Sequence, residues 1–165
     1  MSVCWWGHPE SGYGNSSSHA AWCTSAASGD PTDYNSTAFH HRDSRFDICL
    51  NSASTTSLGL PFTNYTLNEW HYYCVTYNGK IAILYKDGIE TSRSTISSTE
   101  APLKTFTKIF IGFSKAGGVW RKTLGSYSDF RIYVTALSEN EIKKLYNTSM
   151  IIDNQGNTYA RELVE

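Results

Sequence analysis

The sequence has no excess of basic residues. Its 14 Lys and Arg stand against 15 Asp and Glu, for a net charge of −1. A protein that grips nucleic acid through its phosphates needs a clear cationic surplus, so that class is set aside. No apolar run approaches the roughly 20 residues that a membrane-spanning helix requires, so no membrane insertion is expected. The opening Met1-Ser2-Val3-Cys4-Trp5-Trp6-Gly7 lacks the basic start and long apolar stretch of a secretory signal. None of the four cysteines, Cys4, Cys23, Cys49 and Cys74, sits in a C-x-x-C pair, which argues against a structural zinc site. Neither a G-x-S-x-G elbow nor an H-E-x-x-H helix is present.

What the chain does have is aromatic side chains, at 14%, with only 18% charged residues. That balance, with abundant Ser, Thr, Tyr and Gly, suits pleated sheet and turns. A length of 165 residues accommodates one domain with a sizeable core. Val3–Trp6 is apolar on both alternating faces and reads as a buried strand. Residues 7–20 and 28–36 read as polar loops rich in turn formers. Strands are expected around 21–24, 38–41 and 45–50, with a loop over 51–57. Cys49 and Cys74 lie in apolar, strand-like runs. Buried free thiols acting as small hydrophobes are the first reading, a disulfide framework the second.

The middle of the chain is the most legible part. Residues 69–77, 80–86 and 89–95 read as a three-stranded meander. Its two corners are Asn78-Gly79 and Asp87-Gly88, dipeptides that tolerate positive φ in type I′ turns. Residues 105–113 read as one more strand, 115–118 as a loop, and 126–135 as a last long strand. In that strand Ser128, Phe130, Ile132 and Val134 alternate with Asp129, Arg131 and Tyr133, a half-buried face opposite a polar one. One helix is expected from about 138 to 147. Ser138 and Glu141 form a capping box, Leu137 and Ile142 a hydrophobic staple, and Leu145 and Tyr146 extend the apolar stripe. A final strand is expected over 158–164.

These segments together resemble a known family. Trp70-His71-Tyr72-Tyr73-Cys74-Val75-Thr76-Tyr77-Asn78-Gly79-Lys80 is similar to the W-H-x-V-A-V-T-Y-D-G-K strand and turn of laminin G-like jelly rolls. Leu84-Tyr85-Lys86-Asp87-Gly88 resembles their L-Y-V-D-G return, and Ile109-Phe110-Ile111-Gly112 their L-x-I-G strand. Ser128 to Tyr133, followed by Ala136-Leu137-Ser138 and Glu141-Ile142, resembles their closing strand and helix. The resemblance implies an all-β fold: a two-sheet antiparallel jelly-roll sandwich of the concanavalin A-like type, with one short helix near the C-terminus, filling 1–165 as a single domain. Residues 152–165 also resemble the closing peptide of such modules in phage and prophage tail and structural proteins. That implies a virion or extracellular location, and partners that are glycans, bacterial surface polymers or other virion or surface protein chains. Such modules carry a strand and loop ahead of the one represented by Val3–Trp6. The chain therefore reads as a piece of a longer protein or as a trimmed topology, with the 158–164 strand or a homo-oligomer partner covering the bare edge.

An enzyme is not expected. Glycosidases on this fold need two carboxylates placed across the scissile bond. Here only Asp43 and Asp47 fall close together in strand-like sequence. Adjacent His40 and His41 point to opposite strand faces, which disfavours a shared metal. His71 occupies the histidine place of the family it resembles, which implies a packed, hydrogen-bonded residue. Calcium is the possible ion, with Asp30, Asp33 and Asp129 as candidate ligands. Sugars present apolar ring faces edged by hydroxyls, so a binder offers flat aromatics beside polar groups. Tyr13, His19, Tyr34, Trp120, Arg121 and Lys122, all in expected loops, are the candidate ligand-binding residues.

Overall fold

The computed structural model describes residues 1–10, 20–25, 39–42, 45–51, 57–62, 66–96, 100–111, 113–116, 119–122, 125–152 and 158–160. Two five-stranded antiparallel sheets dominate. The first contains β1 (Ser2–Pro9), β6 (His71–Tyr77), β7 (Ile81–Lys86), β8 (Ile89–Thr95) and β12 (Gly125–Tyr133), in the order β12-β1-β6-β7-β8. The second contains β2 (Ala20–Ser25), β3 (Phe39–Arg42), β4 (Arg45–Cys49), β5 (Ser57–Pro61) and β9 (Lys108–Ile111), in the order β5-β4-β3-β2-β9. Two hairpins stand apart: β10 (Phe113–Ala116) with β11 (Val119–Lys122), and β13 (Met150–Ile152) with β14 (Thr158–Ala160). The one helix among the described residues, α1, spans Glu139–Thr148. No described helix is long and apolar enough to cross a membrane.

The alternation within β1 explains the layers. Val3 and Trp5 face the second sheet and join Phe39, Phe46, Ile48, Leu60, Tyr73 and Val75 in the core between the sheets. Cys4 and Trp6 face the other way and meet Tyr72, Cys74, Tyr85 and Ile142 of α1. β1 is therefore buried on both faces, as its unbroken apolar sequence predicts, because a sheet covers one face and a helix the other.

Three local devices match the sequence. Ser138 caps α1, accepting from the Glu141 N–H at 3.4 Å, while the Glu141 carboxylate accepts from the Ser138 N–H at 2.7 Å. Hydrogen bonds from the Ser138 side chain and amide hold the Glu141 carboxyl below its usual range. At the far end, the Ser149 N–H donates to the Leu145 carbonyl at 2.8 Å and Trp6 Nε1–H donates to Ser149 Oγ at 2.8 Å. Asp87 and Gly88 both take positive φ, 53° and 78°, as a type I′ corner requires. The Asp87 carboxylate then accepts from the Tyr72 N–H at 2.9 Å and from His71 Nδ1–H at 2.7 Å. His71 is thus the packed, hydrogen-bonded residue expected of it, with Thr66 Oγ1 2.6 Å from its Nε2.

Several expectations are corrected. In the other corner the Asn78 N–H donates to the Ile81 carbonyl, which makes Gly79 and Lys80 the central residues. Only Gly79, at φ 103°, is positive there, as in type II′ turns, and Asn78 instead accepts from the Lys80 and Ile81 N–H groups through Oδ1. Cys4 and Cys74 are not free thiols. They face each other across β1 and β6 and form a disulfide, and Cys49 is buried in β4. Sequence spacing hides this pair, because 70 residues separate partners that become neighbours only when the strands align. The expected strand over 105–113 divides into β9 and the start of β10. β5 falls partly in what reads as loop, since Gly59 and Pro61 mask the Leu58/Leu60 alternation that buries against the core. The last long strand ends at Tyr133, and Val134 lies in a bend at 93% exposure instead of on a half-buried face. Finally, β1 pairs with β12 on one side and β6 on the other, so its edge needs no cover from β14, which pairs with β13.

Three outcomes follow from these contacts. Ser138→Ala should lower unfolding free energy by about 1 kcal/mol, measured by chemical denaturation. No change would remove Ser138 from the cap. Reducing the Cys4–Cys74 bond should cost about 4 kcal/mol by the chain-entropy relation for a loop of this size, read as a lower denaturation midpoint with reductant. An identical midpoint, with Cys4 and Cys74 both found alkylated by mass spectrometry before reduction, would show the bond is not formed. Asp87→Ala should cost about 2–3 kcal/mol, since it removes two hydrogen bonds and leaves a β-carbon at positive φ. Asp87→Asn should cost less, because Asn tolerates that backbone and keeps an acceptor.

Candidate functional site

Among the candidate ligand-binding residues, Tyr13, His19 and Tyr34 lie outside the described residues, as do the candidate calcium ligands Asp30 and Asp33. The others are placed. Trp120, Arg121 and Lys122 are not in a loop. They form β11, paired antiparallel with β10, as suits a β-branched and aromatic start at Val119-Trp120. In the register, Trp120 lies opposite Lys115, Lys122 opposite Phe113, and Arg121 opposite Ser114. Side chains alternate along a strand and match across a pair, so Phe113, Lys115, Trp120 and Lys122 belong to one face. Arg121 belongs to the other, with Ser114, Ala116 and Val119. The three consecutive residues therefore do not act from one surface. Lys115 takes the third place beside Trp120. Its position two residues before Gly117-Gly118 makes it read as loop in the sequence, and only the strand pairing reveals it.

The hairpin packs mainly against β2, with β10 also touching β9. It belongs to neither large sheet. Asp129 sits far along the chain in β12, in the left-handed region at φ 49°. It coincides with a shift in the β1–β12 register between Cys4 and Trp6. Its Oδ1 accepts from Arg131 Nε at 2.6 Å, and this pairing raises the Arg131 guanidinium further above its usual range. Burial, then the nearby Tyr133 and Asp129, pushes the Tyr72 phenol well above its ordinary value. A carboxylate committed to a guanidinium is a poor start for a calcium site. Among the described residues, no group of three or more His, Cys, Asp or Glu gathers as metal ligands would.

Among the described residues, no two carboxylates form a catalytic couple either. Asp47 is buried in β4 with Arg45 Nε 2.9 Å from its Oδ1, and Asp43 lies outside the described residues. Glu90 pairs with Arg93, Glu139 with Lys143, and Glu69 and Asp87 with His71. A groove of about 440 Å³ opens between Tyr77, Gly79, Ala101, Pro102, Leu103 and Val134. Its walls carry no charged side chain, and the Tyr77 hydroxyl is spent on the Gly79 and Ala101 carbonyls at 2.7 and 2.6 Å.

Solved structures share this architecture. The binding domain of botulinum neurotoxin serotype G superposes with a TM-score of 0.62 at 15% identity, over 94% of this chain and 39% of that one. The receptor binding domain of botulinum neurotoxin D gives 0.61 at 18% identity, over 96% of this chain and 40% of that one. A heptameric SAP-like pentraxin from Limulus polyphemus gives 0.54 at 16% identity, over 88% and 68%. The chain thus spans about two fifths of the toxin domains it matches. At these identities the likeness concerns the fold. No curated protein sequence shows significant similarity to this chain. The family model described as the concanavalin A-like lectin/glucanases superfamily, a laminin G-type profile, matches residues 1–143. With two antiparallel sheets, a helix packed on the outer face of one of them, and that match over most of its length, the chain belongs to the concanavalin A-like lectin/glucanase superfamily.

Proposed function

We propose that this domain is a non-catalytic binding module that recognises glycans or cell-surface polymers, and that the β10–β11 hairpin is its contact surface. The observation that carries this reading is the hairpin register, which puts Trp120 on a face with Lys115 and Lys122 outside both large sheets. A flat indole beside donors is the chemistry a sugar ring requires. Two further facts support it. Solved domains of the same fold include ones described as receptor-binding. The described acids are engaged by cations, histidines or a helix cap and leave no pair poised across an open cleft, apart from exposed Glu100, which lies beside Gly79. The resemblance of residues 152–165 to phage modules supports placement in a tail or similar surface protein, and the Cys4–Cys74 disulfide suits an oxidising, extracellular setting.

A second reading, a virion structural domain with only protein partners, is favoured by one observation. Strands β9 and β12 are edges on the same side of the sandwich, because the opposite edge, β5, packs on β7 and β8. Ile111 lies opposite Trp22, which lies opposite core-facing His41, and Ile132 lies opposite core-facing Val3. Ile109, Ile111 and Ile132 are nonetheless 36–40% exposed. Apolar residues on unpaired edge strands suit burial by another chain.

A glycan array combined with a pull-down on bacterial cell walls separates the two readings. Sugar-specific retention that Trp120→Ala abolishes, with the melting temperature kept, is the expected result. Silence across both assays favours the structural domain. A large fall in melting temperature with unchanged binding would make Trp120 a packing residue and remove the hairpin as the site.

A further inference from the structure

The charge of this chain is unevenly distributed. Residues 101–128 contain five cations, Lys104, Lys108, Lys115, Arg121 and Lys122, and no acid. That leaves nine of the fourteen cations against all fifteen acids elsewhere, a net of −6 outside a segment of +5. The segment builds β9, β10, β11 and the start of β12. The fold sets it against β2, which in turn pairs with β3, and the sequences AAWCTS and FHHR of these two strands also lack acids. Five strands, β3-β2-β9 and the β10–β11 hairpin, thus carry Arg42, Lys108, Lys115, Arg121 and Lys122 with no carboxylate among them. The first acid beyond them in the second sheet is Asp47 of β4, which is buried beside Arg45.

On the hairpin this basic character becomes specific. Lys115 is directly opposite Trp120, and Lys122 is two residues further along the same face. Cross-strand partners sit about 5 Å apart at Cβ and i,i+2 neighbours about 7 Å apart, so the indole position has an ammonium-bearing residue on each of two sides. The hairpin sequence holds no acid to offset these two lysines. Lysines are compact point charges and need no planar bidentate partner. Two such residues on one face would neutralise few phosphates, too few to hold a nucleic acid against the −6 of the remaining chain.

We infer that the Lys115–Trp120–Lys122 face selects acidic saccharides, with a sugar ring on the indole and its carboxylate or phosphate between the two lysines. This rests on the binding-module reading and narrows its ligand class. Arg121 supplies the internal control, since it carries the same charge on the opposite face of the same hairpin.

The test uses the full chain on an array holding neutral glycans, carboxylate-bearing glycans (sialylated and uronic) and phosphate-bearing glycopolymers. Affinities for the hits are then measured by surface plasmon resonance between about 50 and 200 mM salt. Binding to carboxylated or phosphorylated members, weakening steeply with salt, is expected, and the two arms show which acid is taken. K115Q/K122Q should lose about tenfold or more, the loss of one or two charge-assisted contacts, and should show a shallower salt dependence. R121Q should stay within about twofold, as for a charge that touches no ligand. Equal losses in R121Q and K115Q/K122Q would overturn the inference, because bulk charge would then account for binding. Retention of neutral glycans only, without salt dependence, would overturn it while leaving the glycan-binding reading intact. Failure to bind any glycan would overturn both.

Discussion

β1 lies between β12 and β6 and buries both faces, and the rest of the domain is arranged around that fact. Trp5 enters the space between the sheets, where its ring centroid lies 5.6 Å from that of Tyr73 and 5.9 Å from that of Phe46. Trp6 turns outward, meets Tyr72 and Tyr146, and donates to Ser149 just past the helix. Cys4 is bonded to Cys74 on the next strand. Ser2 closes the arrangement: its hydroxyl donates to the Thr135 carbonyl and accepts from the Leu137 N–H, fixing the link from β12 to α1. A strand so engaged cannot slip by one residue without exchanging its two tryptophans between environments of different depth, so the register is strongly set.

From that strand the positions of the other elements follow. The helix must sit on the outer face of the first sheet, because Trp6, Tyr72 and Tyr85 would otherwise stay in water, and Ile142 supplies the knob that fills their centre. The capping box fixes where the helix begins, and Ser149 fixes where it ends. The tight Asp87-Gly88 corner then has to fit against the helix, where a β-carbon on Gly88 would come within 3.3 Å of Lys143 Cγ. The helix thus covers the part of the outer face around Trp6, Tyr72 and Tyr85, and apolar side chains fill the space between the sheets.

That division bears on function. The core is apolar and aromatic, the described acids are largely committed to local partners, and the β10–β11 register places two lysines and a tryptophan on one face of a short hairpin.

The sequence by itself determined the fold class, the meander with its Asp87-Gly88 corner, the capped helix, the double-sided burial of Val3–Trp6 and the packed role of His71. The Asp87-Gly88 corner, the capped helix and the double-sided burial of Val3–Trp6 are written in contiguous residues, through periodicity, turn chemistry or a capping pair, whereas the jelly-roll class and the packed role of His71 are legible through the family resemblance of those segments. Tertiary structure alone decided the Cys4–Cys74 bond, the split of 105–113 into two strands, the existence of β5, and the face shared by Lys115, Trp120 and Lys122. Those depend on strand pairing between residues that are distant in sequence, or on a hairpin register across a glycine pair. The loop candidates Tyr13, His19, Tyr34, Asp30 and Asp33 fall outside the described residues, whereas Asp129 is set apart from them by its pairing with Arg131. A one-residue change of register inverts every face of a strand, so which side chains meet on a β surface is fixed only when the sheet closes.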